Sequence, residues 1–280
     1  MKKVKLRYHI YDFDNNILNL DTKIILEKLE NNIWKEVYIP TDEYSVIRND
    51  KNYRIPYKIN SDILDYDKAF KFFRDEENDE YFLNDVKKAL DNKKYAVSFN
   101  AFKETLTNGK LFGIVTARGN HPSNIRKGIE YIIENELTNI EKNVMLKNLK
   151  KYCKLFNYKN SNLLDNYLSL CEYLPISSNT FINSITPDIL PDGIEYDKNN
   201  IKLSKMIAVN KFTKKCIAIT KNMKNFHCKI TFSDDDKLNI NSIHNLFLNK
   251  LKKEYPDIEF NIFDTSPDEN GNQQYKKIVI

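Results

Sequence analysis

Apolar and polar residues alternate in short runs along this chain, a pattern typical of β-strands. Two such runs, 22–29 and 34–39, flank the pair Asn31-Asn32 and predict a hairpin with a tight turn. The strands predicted for the main sheet are 5–11, 110–115, 229–232, 258–263 and 277–280.

Apolar residues spaced three and four apart predict helices between these strands. Pro122 suits the first turn of one helix, and the segment 175–200, which contains Pro187, Pro191 and Gly193, is predicted to be an irregular connection. Strands that alternate with helices predict an α/β fold with a parallel, Rossmann-like sheet between two helical layers. The remaining helices are predicted at 79–93, 98–107, 139–173, about 204–215 and 243–251.

The composition is that of an ordinary globular protein of 280 residues, with 41% hydrophobic and 30% charged residues. The formal net charge of +5 suits a phosphate-bearing substrate but is too small and too evenly spread to predict a nucleic-acid surface. Without a membrane-length apolar run or a signal-peptide core, the chain is expected to be soluble and cytoplasmic, with no membrane partner. Four cysteines without paired spacing predict buried thiols in a reducing compartment: Cys153, Cys171, Cys216 and Cys228.

The most informative motif is Asp12-Phe13-Asp14, where the first strand ends. Two carboxylates at a strand end can converge on one cation, and carboxylate oxygens are ligands that Mg²⁺ prefers. One carboxylate can then act as a nucleophile and the other as a general acid and base. An isolated Asp-x-Asp is just as typical of a strand that runs into a turn, so the interpretation needs partners elsewhere in the chain.

Polar residues at two further strand ends supply such partners. The segment Thr-Ala-Arg-Gly at 116–119 follows one predicted strand, and Ser-Asp-Asp-Asp at 233–236 follows another. Ligands of open α/β sheets collect at the carboxyl ends of the strands, so we expect these residues to lie near Asp12 and Asp14. Structural roles are the alternative, namely turn capping by Thr116, a surface position for Arg118, and acidic residues that offset a helix dipole.

These strand ends together resemble the motifs of the haloacid dehalogenase superfamily of phosphohydrolases, in order and context, over most of the chain outside an insert. The resemblance implies a core at 1–20 and 96–280, with a helical elaboration around 139–200. It also implies an inserted α+β cap at 21–95, after the first strand, that covers the site and selects substrates. Phage-encoded members have similar Asp-Phe-Asp and Thr-Ala-Arg-Gly segments, so a phage source and the host cytoplasm are expected.

The resemblance implies an activity, the Mg²⁺-dependent hydrolysis of a small phosphomonoester through an aspartyl-phosphate. At the matching positions, Asp12 attacks phosphorus, while Asp14 protonates the leaving group and later activates water. Thr116 is expected to bind a phosphoryl oxygen, and Arg118 is a candidate substrate ligand. The implied metal ligands are Asp12, Asp14 through its backbone carbonyl, and one of Asp234 and Asp235.

Two positions depart from the family pattern. Asn15-Asn16 stands where many members have Gly followed by Thr or Val, and Ser233 stands where Gly is frequent. Asn tolerates the left-handed backbone conformation, so Asn15 is expected to replace that glycine, next to the substrate. The family's catalytic lysine has loose spacing; Lys205 is the candidate, with Lys202 and Lys215 as alternatives, and a solvated helix face is the plain explanation for any of them.

Two other functions fit the same residues. A polynucleotide 3′-phosphatase would need a basic groove beside the carboxylates, so a nucleic-acid partner is possible but not favoured. A catalytically inactive binding protein would keep the fold and the metal site. The presence of both Asp12 and Asp14 argues against it, because binding does not need the second carboxylate as a proton donor. The substrate and the oligomeric state are not defined by the sequence.

Overall fold

A mostly parallel sheet of six strands, flanked by helices, forms the centre of the protein. The computed structural model describes residues 4–75, 79–156, 162–186, 189–190, 196–197, 200–220 and 226–280. Its strands are β1 (Val4–Tyr11), β2 (Lys23–Glu30), β3 (Ile33–Pro40), β4 (Tyr53–Arg54), β5 (Phe112–Thr116), β6 (Glu172–Pro175), β7 (Phe226–Asp234), β8 (Ile258–Asp264) and β9 (Lys276–Val279).

The helices lie between these strands, and some are followed by short turns of other helix types. A 3₁₀ turn covers Lys71–Phe73, and a π-helical turn covers Phe247–Leu251. The α-helices are α1 (Thr41–Ile47), α2 (Tyr66–Ala69), α3 (Tyr81–Asp91), α4 (Phe99–Thr107), α5 (Pro122–Glu136), α6 (Asn139–Phe156), α7 (Leu163–Leu170), α8 (Asn179–Asn183), α9 (Ile201–Thr220), α10 (Lys237–Leu246) and α11 (Lys252–Glu254).

The strand order of the main sheet is β6-β5-β1-β7-β8-β9. All neighbours pair in parallel except β8 and β9. The chain moves outward from β1 through β5 to β6 and then returns to β7 on the other side of β1. Such a reversal opens a crevice at the carboxyl end of the central strand, where ligands of α/β proteins bind.

Helices cover both faces of the sheet. Two neighbouring residues of β5 show this, since neighbouring residues on a strand point to opposite faces. On β5, the Phe112 ring packs edge-to-face against Phe102 of α4 and Tyr167 of α7. The next residue, Gly113, lies under the ring of Phe212 from α9. The sheet therefore sits between two helical layers, and its central strands are buried.

The second sheet has the order β3-β2-β4 and carries a small apolar cluster of its own. Asn31 and Asn32 join β2 to β3 with positive φ angles of 51° and 62°, the backbone of a tight hairpin turn. The following helix α3 belongs to the main core, since Phe82 is fully buried there. It packs so closely on α5 that a Cβ added at Gly128 would lie 2.5 Å from the Phe82 ring.

Much of the predicted element order is confirmed, including the α/β class, the hairpin and the helix that starts at Pro122. The prediction of helix across 139–173 is wrong at its end, because residues 172–175 form β6 and pair with β5. The predicted irregular connection contains the short helix α8, while Pro187, Pro191 and Gly193 lie outside the described residues. The division into a core and a cap at 21–95 remains a prediction.

The environment of the thiols agrees with their predicted burial. Cys171, Cys216 and Cys228 are buried and free, and burial raises the pKa of Cys171 and of Cys228 to about 12. The Cys153 side chain lies outside the described residues. Within the described part of the chain, no helix combines the length and the apolar character that a membrane crossing requires.

Candidate active site

Three carboxylates meet where β1 and β7 end side by side. One oxygen from each of Asp12, Asp234 and Asp235 lies within 4.8 Å of the others. The backbone N–H of Asp12 donates to the Ser233 carbonyl at 2.9 Å, so the parallel pairing continues to the edge of the site. Asp12 and Asp234 are buried, and Asp235 is half-buried. The structure thus brings together the acidic strand ends that the sequence pattern singled out.

Lys205 from α9 enters the same cluster. Its Nζ lies 3.1 Å from Asp12 Oδ1 and donates to Asp234 Oδ2 at 2.7 Å. Burial by itself lowers the pKa of Lys205, but Asp12 and Asp234 more than offset this, and the pKa lies above its ordinary value. Lys205 therefore stays charged between the two carboxylates. The other candidates lie elsewhere, because Lys202 is exposed and Lys215 pairs with Glu172.

The cluster has more negative than positive charge. Burial raises the pKa of Asp12 well above its ordinary value, and although Lys205 opposes this rise, Asp234 adds to it. Burial and the Asp234 charge also raise the pKa of Asp235 to about 7. Asp12 Oδ1 is buried, and its contact with Lys205 Nζ at 3.1 Å is an ion pair without the geometry of a hydrogen bond. When all three carboxylates are ionised, their negative charge exceeds the positive charge of the one ammonium. A divalent cation bound by carboxylate oxygens would balance the difference.

Asp14 faces a different partner. Arg118 Nε donates to Asp14 Oδ2 and Arg118 Nη2 donates to Asp14 Oδ1, both at 2.7 Å. The Thr116 hydroxyl, at the end of β5, also lies 3.5 Å from Asp14 Oδ2. Asp14 is 15% exposed and Arg118 only 1% exposed, so the carboxylate and not the guanidinium borders the open side of the site.

Residues from the segment between β1 and β5 enclose Arg118. Arg118 Nη2 donates to the Thr22 hydroxyl at 2.6 Å, and that hydroxyl donates to the Asp85 carboxylate. The guanidinium carbon Cζ of Arg118 lies 4.7 Å from the centroid of the Phe73 ring and 5.3 Å from that of the Phe82 ring. Burial lowers the pKa of Arg118, but Asp14 and Asp85 offset this and the pKa lies above its ordinary value.

Asn15 adopts the left-handed conformation predicted for it, with φ 56°. Its N–H donates to the Leu18 carbonyl at 2.9 Å, which closes the loop after β1. The predicted substrate contacts of Asn15, Arg118 and Thr116 remain predictions. The structure places all three next to Asp14.

Sequence reasoning missed Asn16 as a structural centre of the site. The Asn16 amide is fully buried and donates to the Asp12 carbonyl at 3.0 Å and to the Ser233 hydroxyl at 2.8 Å. Its oxygen accepts from Ser98 at 2.7 Å and from Thr265 at 2.9 Å. A single Asn, Ser or Thr has no distinctive spacing, so only the folded arrangement shows this network.

Comparison of the chain with family models, curated proteins and solved structures finds no match. A functional assignment therefore starts from the side-chain geometry at the ends of β1, β5 and β7.

Proposed function

We propose that the chain is a Mg²⁺-dependent phosphomonoesterase of the haloacid dehalogenase type, with Asp12 as its nucleophile. The observation that carries the proposal is the position of Lys205 Nζ, 3.1 Å from Asp12 and 2.7 Å from Asp234, inside a cluster of three carboxylates. An anionic nucleophile can approach an anionic ester only where positive charge is concentrated. The site at the end of β1 combines the positive charge of Lys205 with two aspartates in different environments. Asp12 pairs with Lys205, and Asp14 pairs with Arg118.

Asp12, Asp234 and Asp235 are the residues that would hold the cation, because one carboxylate oxygen of each lies within 4.8 Å of the others. Bound Mg²⁺ would supply positive charge that draws the phosphate towards the carboxylates and stabilises the charge of the transition state. Asp234 has little freedom to move, because its Oδ1 accepts from the Asp236 N–H at 2.9 Å and from the Asn239 amide at 3.2 Å.

In the proposed reaction the Asp12 carboxylate attacks phosphorus while the bond from phosphorus to the ester oxygen breaks. Asp14 gives a proton to the departing oxygen, which leaves as an alcohol. A water molecule then attacks the phosphoryl group on Asp12 and gives a proton to Asp14. Inorganic phosphate leaves, and both aspartates return to their starting states. Lys205 stays protonated and offsets the charge on Asp12 and Asp234 throughout.

The proposal treats the unit built on the second sheet as a cap. Support comes from its own apolar cluster, formed by Ile24, Leu26, Ile39 and Phe73, and from its direct link to the site. The Phe73 carbonyl accepts from the Gly119 N–H at 2.9 Å, and its ring lies over Arg118. A substrate that enters beside the 116–119 loop would therefore meet this unit.

The test is phosphate release from nucleotides, sugar phosphates and 3′-phosphorylated oligonucleotides, with Mg²⁺ and with a chelator. We expect release only with the metal, and a loss of about 10³-fold or more in Asp12→Asn, because that change removes the nucleophile. Release from oligonucleotides alone would identify the end-processing phosphatase instead.

The matched control is Asp257→Asn, at an exposed position before β8. It removes one carboxylate without touching the site and should retain full release. An unchanged rate in folded Asp12→Asn would rule out Asp12 as the nucleophile. Absence of release from every compound by the wild-type protein, with bound Mg²⁺, would indicate a binding protein.

A further inference from the structure

We propose that Arg118 is a positioning residue that holds the Asp14 carboxylate for proton transfer and does not bind the substrate. This inference rests on the proposed function and replaces the substrate-binding role predicted for Arg118 from the sequence. It assigns Arg118 of the Thr-Ala-Arg-Gly segment to orientation of the acid and base.

The contact between Arg118 and Asp14 is bidentate, and two hydrogen bonds fix the orientation of the carboxylate. Both carboxylate oxygens accept from the guanidinium at 2.7 Å, one from Nε and one from Nη2. The planar fork of an arginine matches a carboxylate in this geometry, and it prevents rotation about the bond that carries the carboxylate. A lysine at this position would supply charge but no such constraint.

Arg118 is poorly placed to bind a phosphate directly. The side chain is 1% exposed. Its Nη2 group also donates to Thr22 at 2.6 Å, and Nη1 lies 3.4 Å from Asn120 Oδ1. A substrate ligand must present free donors to the substrate, whereas four of the five N–H donors of Arg118 have acceptors within the protein. Asp14, with its greater exposure, is the member of the pair that reaches the substrate.

The surroundings of Arg118 hold it in place before any substrate arrives. The Thr22 hydroxyl relays the contact to Asp85, and the rings of Phe73 and Phe82 cover the guanidinium at 4.7 and 5.3 Å. Because these partners fix the arginine rotamer, the arginine in turn fixes Asp14. Catalytic groups that are held by a packed supporting shell lose little freedom when the substrate binds.

Asp14 exchanges protons with the ester oxygen and with water in the proposed reaction, and Arg118 exchanges none. Both proton transfers require one Asp14 oxygen to face the reacting oxygen. Loss of Arg118 should therefore lower kcat while KM changes little. It should also act only through Asp14, so its effect should disappear when Asp14 can no longer transfer a proton.

The experiment is a double-mutant cycle of Asp14→Asn, Arg118→Gln and the double variant, assayed with p-nitrophenyl phosphate and with an alkyl phosphate. We expect Arg118→Gln to lower kcat by roughly 10- to 100-fold, which is part of the roughly 10²- to 10⁴-fold that acid–base catalysis supplies. Adding it to Asp14→Asn should cost no more than about twofold, because coupled residues are not additive. In kcat/KM, both single variants should lose more with the alkyl ester, whose leaving oxygen needs a proton.

An additive cycle with a raised KM and a retained kcat would overturn the inference, because that result describes a substrate ligand. An additive cycle with equal losses of kcat/KM on both esters would also overturn the inference, since that result indicates general damage to the fold. If Arg118→Gln alone does not fold, Arg118→Lys takes its place in the cycle, alone and combined with Asp14→Asn, and Arg118→Lys alone should remain impaired. Arg126→Gln is the matched control on α5; Arg126 pairs with Glu130 and Asp165 outside the site, and the variant should keep wild-type kcat.

The outcome separates this inference from the function on which it rests. If wild-type protein releases no phosphate, or Asp12→Asn releases it normally, the proposed function fails and the role of Arg118 fails with it. If Asp12→Asn is inactive and the cycle is additive, the phosphatase stands and only the positioning role is wrong.

Discussion

The Asn16 side-chain amide donates to the Ser233 hydroxyl at 2.8 Å and so fastens the loop after β1 to the end of β7. The same side chain accepts from Ser98 and Thr265, which lie before α4 and after β8. Asp12 begins the loop after β1, and Asp234 directly follows Ser233 in β7. Their separation is therefore set in part by one fully buried amide.

Asn16→Ala should lower the free energy of unfolding by about 3 kcal/mol, because it leaves several buried hydroxyl and carbonyl groups without partners. Urea denaturation of the metal-free protein measures this change. Asn135→Ala, at an exposed position in α5, should change stability by less than about 0.5 kcal/mol. Equal stability of the two variants would show that the Asn16 network does not hold the strand ends together.

Lys205→Met should lower kcat by about 10²-fold, because it removes the ammonium between Asp12 and Asp234. It should also make the folded state depend more strongly on Mg²⁺, since three carboxylates are then left without an internal cation. Steady-state kinetics and thermal unfolding at several Mg²⁺ concentrations measure both effects. Lys202→Met on the exposed side of α9 is the control, and a similar loss in that variant would contradict the assignment.

Mg²⁺ should stabilise the protein through the carboxylate cluster. A ligand that binds only the folded state adds about 2.7 kcal/mol at a concentration of 100 times its Kd, so the melting temperature should rise with Mg²⁺. Asp235→Asn should remove most of this rise, whereas Asp257→Asn should retain it. A full response to Mg²⁺ in Asp235→Asn, followed by differential scanning calorimetry, would show that the ion binds elsewhere.

His9 should make the protein sensitive to acid. Burial, together with the positive charges of Lys110 and Arg7, lowers the pKa of His9 from 6.5 to about 3. The folded protein keeps His9 neutral, while the unfolded chain takes up a proton below its ordinary pKa. Stability is thus lost as the pH falls through that value, by about 2 kcal/mol between pH 7 and pH 5.

His9→Gln should flatten this part of the pH dependence of unfolding. His227→Gln, at an exposed position on β7, is the control for the substitution itself. Denaturant titrations at a series of pH values measure the slope. Identical slopes in wild type and His9→Gln would show that His9 titrates alike in the folded and unfolded states.

The sequence predicted the strand ends well because each combines a local apolar run with an abrupt change to polar residues. Asp12, Thr116 and Asp234 all stand at such boundaries. Lys205 had no comparable signal, since a lysine on a helix is ordinary and only the packing of α9 against the sheet brings it to Asp12. It was identified through a family resemblance and not through its surroundings.

The missed features depend on contacts between distant segments. Strand β6 has only four residues, follows directly on a helix and ends in Pro175, so its pairing with β5 is not visible in a local pattern. The burial of Arg118 was likewise invisible, because arginine is usually exposed and its partners Thr22 and Asp85 lie far away in the sequence.

Because α3 packs closely against α5, a substitution at Gly128 of α5 can reach the proposed catalytic residue Asp14 through Phe82 and Arg118. A methyl group at Gly128 would displace the Phe82 ring, which also lies over Arg118. Displacement of that ring would tilt the guanidinium and, with it, Asp14. The contact between α3 and α5 is thus a place where variation can change the rate of the proposed reaction without altering Asp12, Asp14 or Lys205.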